Sequence, residues 1–183
     1  MWIGSWEEGL FRVKADGTIE NFKYNAKDPH SLSSNFVRAC CEDNLGNIWI
    51  GTFNGLNRYN KITGLFQNHT ANDTQADGLT HSSIWCIVKD NQGTLWLGTY
   101  FGGVNYFNPE YEIYTRYSYS SNEKKGLSNP VVGRTIEDRD GNLWIGTEGG
   151  GLNYYNRRTR EFKWYRPCLL YTSDAADDTP CVD

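Results

Sequence analysis

The chain has 183 residues and a formal net charge of −4, set by 22 acidic and 18 basic side chains. The whole excess sits after residue 167, where four Asp stand without a Lys or Arg. The rest is balanced, so neither a basic stripe for nucleic acid nor an acidic surface for a cationic partner is expected. No apolar run approaches the ~18 residues of a membrane span.

Taken in chain order, the predicted elements repeat. Trp2-Ile3-Gly4-Ser5, Trp49-Ile50-Gly51-Thr52, Trp96-Leu97-Gly98-Thr99 and Trp144-Ile145-Gly146-Thr147 recur at spacings of 47, 47 and 48 residues, the mark of a repeat architecture. An acidic turn precedes the last three: Asp43-Asn44-Leu45-Gly46, Asp90-Asn91-Gln92-Gly93 and Asp138-Arg139-Asp140-Gly141. Before each turn lies an alternating strand, with Val37, Ala39 and Cys41, then Ile84, Cys86 and Val88, expected on one face. After each core come Gly9-Leu10, Gly55-Leu56-Asn57, Gly103-Val104-Asn105 and Gly151-Leu152-Asn153, then an aromatic closing segment. Four short strands per unit, lettered A to D from the inside out, have the spacing of one β-propeller blade.

The expected fold is therefore all-β: about four four-stranded antiparallel blades forming an incomplete arc of a larger, seven-bladed ring. Residues 1–35 form a partial blade lacking strand A, followed by blades at 36–82, 83–130 and 131–166. Met1 stands where Ile48, Leu95 and Leu143 stand, as expected of a reading frame begun inside a longer one. Residues 167–183 match no repeat and are set aside as a non-propeller tail: the stretch from Cys168 to Asp178 resembles translated sequencing-adaptor DNA, and the competing reading is an ordinary disordered tail. Cys40, Cys41 and Cys86 fall on inner strands, where a free thiol packs as a small apolar group. With histidines only at 30, 69 and 81, no paired metal-ligand spacing exists, and no metal or cofactor is expected.

Strand order puts the B–C loops and the long D–A loops (Asn25 to Asn35, Thr70 to Ser82, Ser118 to Asn129) on one edge of the ring. The B–C loops vary where their flanks repeat: Trp6 with Glu7, Phe53 with Asn54, Tyr100 with Phe101, and Glu148. Exposed aromatics beside carboxylates and amides suit a carbohydrate, whose C–H faces stack on rings while polar neighbours meet its hydroxyls. The competing reading packs Trp6, Phe53 and Tyr100 against the next blade. On strand A, Arg134 fills the slot of Ala39 and Cys86 and needs a partner, either Glu137 or Asp138 or a ligand oxygen. Arg38 and Trp85 lie on the other face and are expected to line the central channel.

Glu42-Asp43-x-x-Gly46-Asn47-Ile48-Trp49-Ile50-Gly51-Thr52-x-x-Gly55-Leu56-Asn57-Arg58-Tyr59 resembles the two-component regulator propeller repeat, and the stretch from Glu137 to Asn153 repeats it. The resemblance covers residues 1–166. It implies a periplasmic sensor region of a hybrid histidine kinase. The parent would carry two seven-bladed propellers, an immunoglobulin-like module, a membrane helix and a kinase, and would act as a homodimer. It also implies an oligosaccharide or other small periplasmic ligand as partner, with the remaining blades completing the ring. This segment itself is expected to be no enzyme and to touch no nucleic acid. Two alternatives stay open. One is a propeller enzyme similar to streptogramin lyases or sialidases, with His81 as the one histidine near the right edge. The other is a protein-interaction scaffold.

Overall fold

The computed structural model describes residues 1–71 and 78–166. The tail from residue 167, and part of the Thr70 to Ser82 loop, lie outside the described residues.

The chain folds into successive antiparallel sheets, each a β-propeller blade. The first has three strands, β1 (Trp2–Gly4), β2 (Leu10–Val13) and β3 (Ile19–Phe22). The second has four: β4 (Val37–Glu42), β5 (Ile48–Thr52), β6 (Gly55–Tyr59) and β7 (Phe66–His69). The third is β8 (Ile84–Lys89), β9 (Leu95–Thr99), β10 (Val104–Asn108) and β11 (Ile113–Tyr117). The fourth is β12 (Val132–Glu137), β13 (Leu143–Thr147), β14 (Gly151–Asn156) and β15 (Glu161–Tyr165). Strands pair in chain order within every sheet, and the inner strands of neighbouring blades pack on one another. Among the described residues no helix is long and apolar enough to cross a membrane.

Three polar or steric devices recur and explain the repeated letters. The first is the acidic turn. Asp43 accepts the backbone N–H of Leu45 and Asn47 through Oδ1, while its Oδ2 accepts the indole N–H of Trp49 at 2.7 Å. Asp90 serves Trp96 in the same way at 2.9 Å, and Asp138 serves Trp144 at 3.3 Å. Gly46 closes the turn at φ 82°, a conformation that costs a side-chain-bearing residue dearly. Trp49 and Trp96, fully buried, and the part-buried Trp144 thus each have their one donor satisfied by the turn six residues earlier.

The second device is a buried amide. Asn57, Asn105 and Asn153 accept the backbone N–H of Ser33, Thr80 and Ser128 at 2.8, 3.1 and 2.8 Å. Each pins the end of a D–A loop to strand C of the blade it enters. The third is a glycine seat. A Cβ on Gly4 would lie 2.5 Å from Val37 Cγ1, on Gly51 2.7 Å from Ile84 Cγ2, and on Gly98 2.7 Å from Val132 Cγ1. A branched residue of each strand A therefore fills the space that the preceding blade leaves by using glycine in strand B.

The expected alternation of strand A does not hold. Val37 pairs with Thr52 but Ala39 with Gly51, and the same slip occurs between Ile84 and Cys86 and between Val132 and Arg134. One extra residue per strand, a β-bulge, reverses the faces beyond it. Ile84 consequently packs against the preceding blade beside Trp49 and Leu56, whereas Cys86 and Val88 pack against the following one beside Val132 and Ile145. Val37 and Cys41 are likewise split between two blade interfaces.

Candidate functional site

The bulges decide what reaches the loop edge of the blades. In β4 and β8 the residue left without a cross-strand partner is Arg38 and Trp85, and in β12 it is Gly133. The B–C loops are tied to the same edge by backbone bonds: Phe53 N–H to Phe36 O at 3.0 Å, Tyr100 N–H to Ser83 O at 3.1 Å and Glu148 N–H to Val131 O at 2.9 Å. Gly9 N–H reaches Asn35 O and Val37 N–H reaches Ser5 O, which joins the first blade's loop to the start of the second.

These ties assemble a continuous row of rings across three blades. The Arg38 guanidinium lies over Trp6 at 4.5 Å and over Trp85 at 4.2 Å. Trp85 stacks on Tyr100, with centroids 5.1 Å apart and planes 11° apart, and Tyr100 meets Phe101 edge-on at 4.3 Å. On the other side Trp6 meets Phe36 at 5.7 Å, and Phe36 meets Phe53 at 6.1 Å. Trp6, Phe53 and Phe101 are each half or more exposed, so the row is open to solvent. Trp6, Phe53, Tyr100, Phe101, Arg38 and Trp85 thus share one surface. Phe36, which bridges two of them, was missed because its slot just ahead of strand β4 holds Ser83 and Val131 in the next two blades, so no recurring aromatic marks it.

The other candidates are not members of the row. Glu7, Asn54 and Glu148 are exposed in their B–C loops. Arg134 faces away from the rim, on the uncovered side of the fourth blade with Ile136, Trp144 and Leu152. Neither suggested partner pairs with it: Glu137 faces Arg157 at 3.4 Å, and Asp138 is engaged by its own turn and Trp144. His81 accepts the Ser83 N–H on Nδ1 at 3.0 Å, which makes it part of the loop's own turn. Among the described residues no three His, Cys, Asp or Glu side chains converge as metal ligands. The thiols of Cys40, Cys41 and Cys86 are all held above their ordinary pKa by burial.

The model of the two-component regulator propeller matches residues 31–54, 78–101 and 126–149, each match spanning the D–A entry, the acidic turn and the Trp core. These are two-component regulator propeller repeats. Two solved structures, the extracellular domains of putative hybrid two-component systems from B. thetaiotaomicron, are similar to the repeat-bearing chain. One is 23% identical over 88% of this chain and 21% of its own, and the other 26% identical over 89% and 23%, both at a TM-score of 0.72. The propeller repeats here therefore span about a fifth of those chains. A catalytically inactive virginiamycin B lyase from Staphylococcus aureus, solved with quinupristin, shares the fold at 13% identity, TM-score 0.60, over 87% of this chain and 48% of its own. A comparison with curated protein sequences gives no match.

Proposed function

We propose that this propeller segment is the ligand-reading part of a periplasmic two-component sensor. It takes an oligosaccharide on its loop edge and passes the signal to a kinase that lies outside this chain. The observation that carries the reading is the solvent-open row Phe53–Phe36–Trp6–Arg38–Trp85–Tyr100–Phe101. Rings spaced along a curved rim offer successive stacking platforms to successive sugar units, and Glu7, Asn54 and Glu148 offer acceptors and donors for hydroxyls. The likeness to extracellular domains of hybrid two-component systems supports the setting. In the parent, a ligand favouring one arrangement of a homodimer over another would shift that equilibrium by its differential affinity.

The test is a thermal-shift and calorimetric screen of oligosaccharides against the chain. Specific binding to the native state raises the melting temperature. Trp6→Ala and Tyr100→Ala are expected to abolish the rise, and Arg134→Ala to leave it intact. A ligand whose affinity ignores both aromatic variants would overturn the placement of the site on this rim.

A further inference from the structure

Resting on the reading of the rim as the ligand surface, we infer that its ligand is anionic, and that Arg38 grips a carboxylate or sulfate group on it. Arg38 is the extra residue of the β4 bulge, so the strand's ladder does not fix its side chain. Its guanidinium is instead clamped on both faces, by Trp6 at 4.5 Å and Trp85 at 4.2 Å. Stacking occupies the faces of a planar cation and strips water from them, but leaves the two terminal Nη groups at its edge open. That edge is a fork matched to the two oxygens of an oxyanion.

Other arginines of the chain set the contrast. Arg12, Arg58 and Arg157 each lie within 4 Å of a carboxylate, on Glu20, Glu112 and Asp90 respectively. Arg38 has no such partner among the described residues and makes no hydrogen bond there. Its Nε is shut off from solvent without an acceptor. The indole N–H of Trp85, against the same guanidinium, is likewise buried and unpaired. A cation and a neighbouring donor held in place with no acceptor make a site that lacks its negative half. A neutral sugar hydroxyl could fill one hydrogen-bonding position, but it would leave the charge unmatched. An acidic sugar unit supplies both: its ring covers Tyr100 or Trp6 while its carboxylate or sulfate meets the fork.

The experiment is isothermal titration of the chain with three oligosaccharides of equal length, an oligogalacturonate charged by carboxylates alone, a carrageenan-type galactan oligosaccharide charged by sulfates alone and a neutral cello-oligosaccharide, and separately with free glucuronate and sodium sulfate as small anions. The expected result is that one acidic oligosaccharide binds about ten- to a hundred-fold tighter than the neutral one, the range of a charge-assisted pair. Arg38→Gln should erase that preference, Arg38→Lys should keep part of it, and rising salt should weaken the wild type and Arg38→Lys but not Arg38→Gln. Which acidic probe wins separates carboxylate from sulfate. Unchanged melting temperatures for both variants attribute the loss to the contact and not to the fold. Equal binding of acidic and neutral oligosaccharides, untouched by Arg38→Gln, overturns the anionic site and leaves the glycan reading standing. Arg38-dependent binding of the small anions, with no gain for any oligosaccharide, does the reverse. No binding by any probe overturns both.

Discussion

Gly98 and Gly146 occupy the same position in strand B of adjacent blades, yet their surroundings differ sharply. A Cβ on Gly98 would lie 2.5 Å from Cys86 Sγ and 2.7 Å from Val132 Cγ1, whereas on Gly146 its nearest neighbour is Arg134 O at 3.8 Å. Neither glycine has a left-handed φ, so the backbone accepts alanine at both. At Gly98 the obstacles cannot swing away: Val132 is fully buried and β-branched, and Cys86 is 2% exposed. Overpacking of this kind costs about 1–3 kcal/mol. Alanine recovers about 0.5–1 kcal/mol relative to glycine in a strand. Gly98→Ala should therefore destabilise by up to about 2.5 kcal/mol, a melting temperature lower by up to roughly 10 °C for a chain of this size. Gly146→Ala, with only the second effect acting, should leave the melting temperature unchanged or raise it by about 1–4 °C. Parallel circular-dichroism melts of the two variants decide it. If Gly98→Ala proves as stable as Gly146→Ala, glycine is not what seats one blade on the next.

Two further predictions concern groups inside the blades. Asp43→Ala removes the acceptor for two backbone N–H groups and for the indole of fully buried Trp49. A loss of about 1–3 kcal/mol in denaturant unfolding is expected from the stranded buried indole alone, with a smaller addition from the two part-buried turn N–H groups that water can reach. Asp138→Ala should cost less, because Trp144 is only part-buried and its bond is longer. The second concerns His69, which sits beside Trp49 and Phe107, where burial holds its imidazole below the ordinary value of 6.5. The unfolded chain then binds more protons than the native one. The His69 contribution is therefore complete above pH ~6.5 and is lost as pH falls through that value toward the lowered native one. His69→Gln should flatten this slope in melting temperature between pH 7 and 5, and an unchanged slope would refute the assignment.

Much of the fold was legible because each repeated letter answers a demand that recurs once per blade. Asp-x-x-Gly-x-x-Trp is legible as a turn plus a core ring, and the indole N–H placed on that Asp explains why the two letters travel together. The buried amides of Asn57, Asn105 and Asn153 were visible as a pattern but not as a clamp, since their partners lie 24 or 25 residues upstream. The bulge left no mark in the alternation itself. Val37, Ala39 and Cys41 look like one face whether or not a residue is squeezed out between the first two. The only sign was that the squeezed-out slot holds Arg38, Trp85 and Gly133, three residues with nothing in common. Arg134 was misleading for the opposite reason. Its slot is an interface slot, and in the fourth blade that interface is uncovered among the described residues.

That unlike slot connects scaffold to recognition. The Asp–Trp bond and the Asn clamp hold the backbone of the second, third and fourth blades, and the glycine seat joins each of the first three to the next, at points where side-chain identity is fixed. The bulge then delivers one residue from each of β4, β8 and β12 to the rim that none of the three devices constrains, and the B–C loop delivers two or three more. Changing Arg38 or Trp85 alters no repeated contact. Changing Asp43, Asn57 or Gly51 alters the blade itself. A run of blades built this way can exchange the chemistry of its rim, cation for aromatic or aromatic for glycine, without renegotiating its fold. The cation clamped between two indoles at Arg38 is one such choice. Its substitution should therefore appear in binding and stay silent in stability.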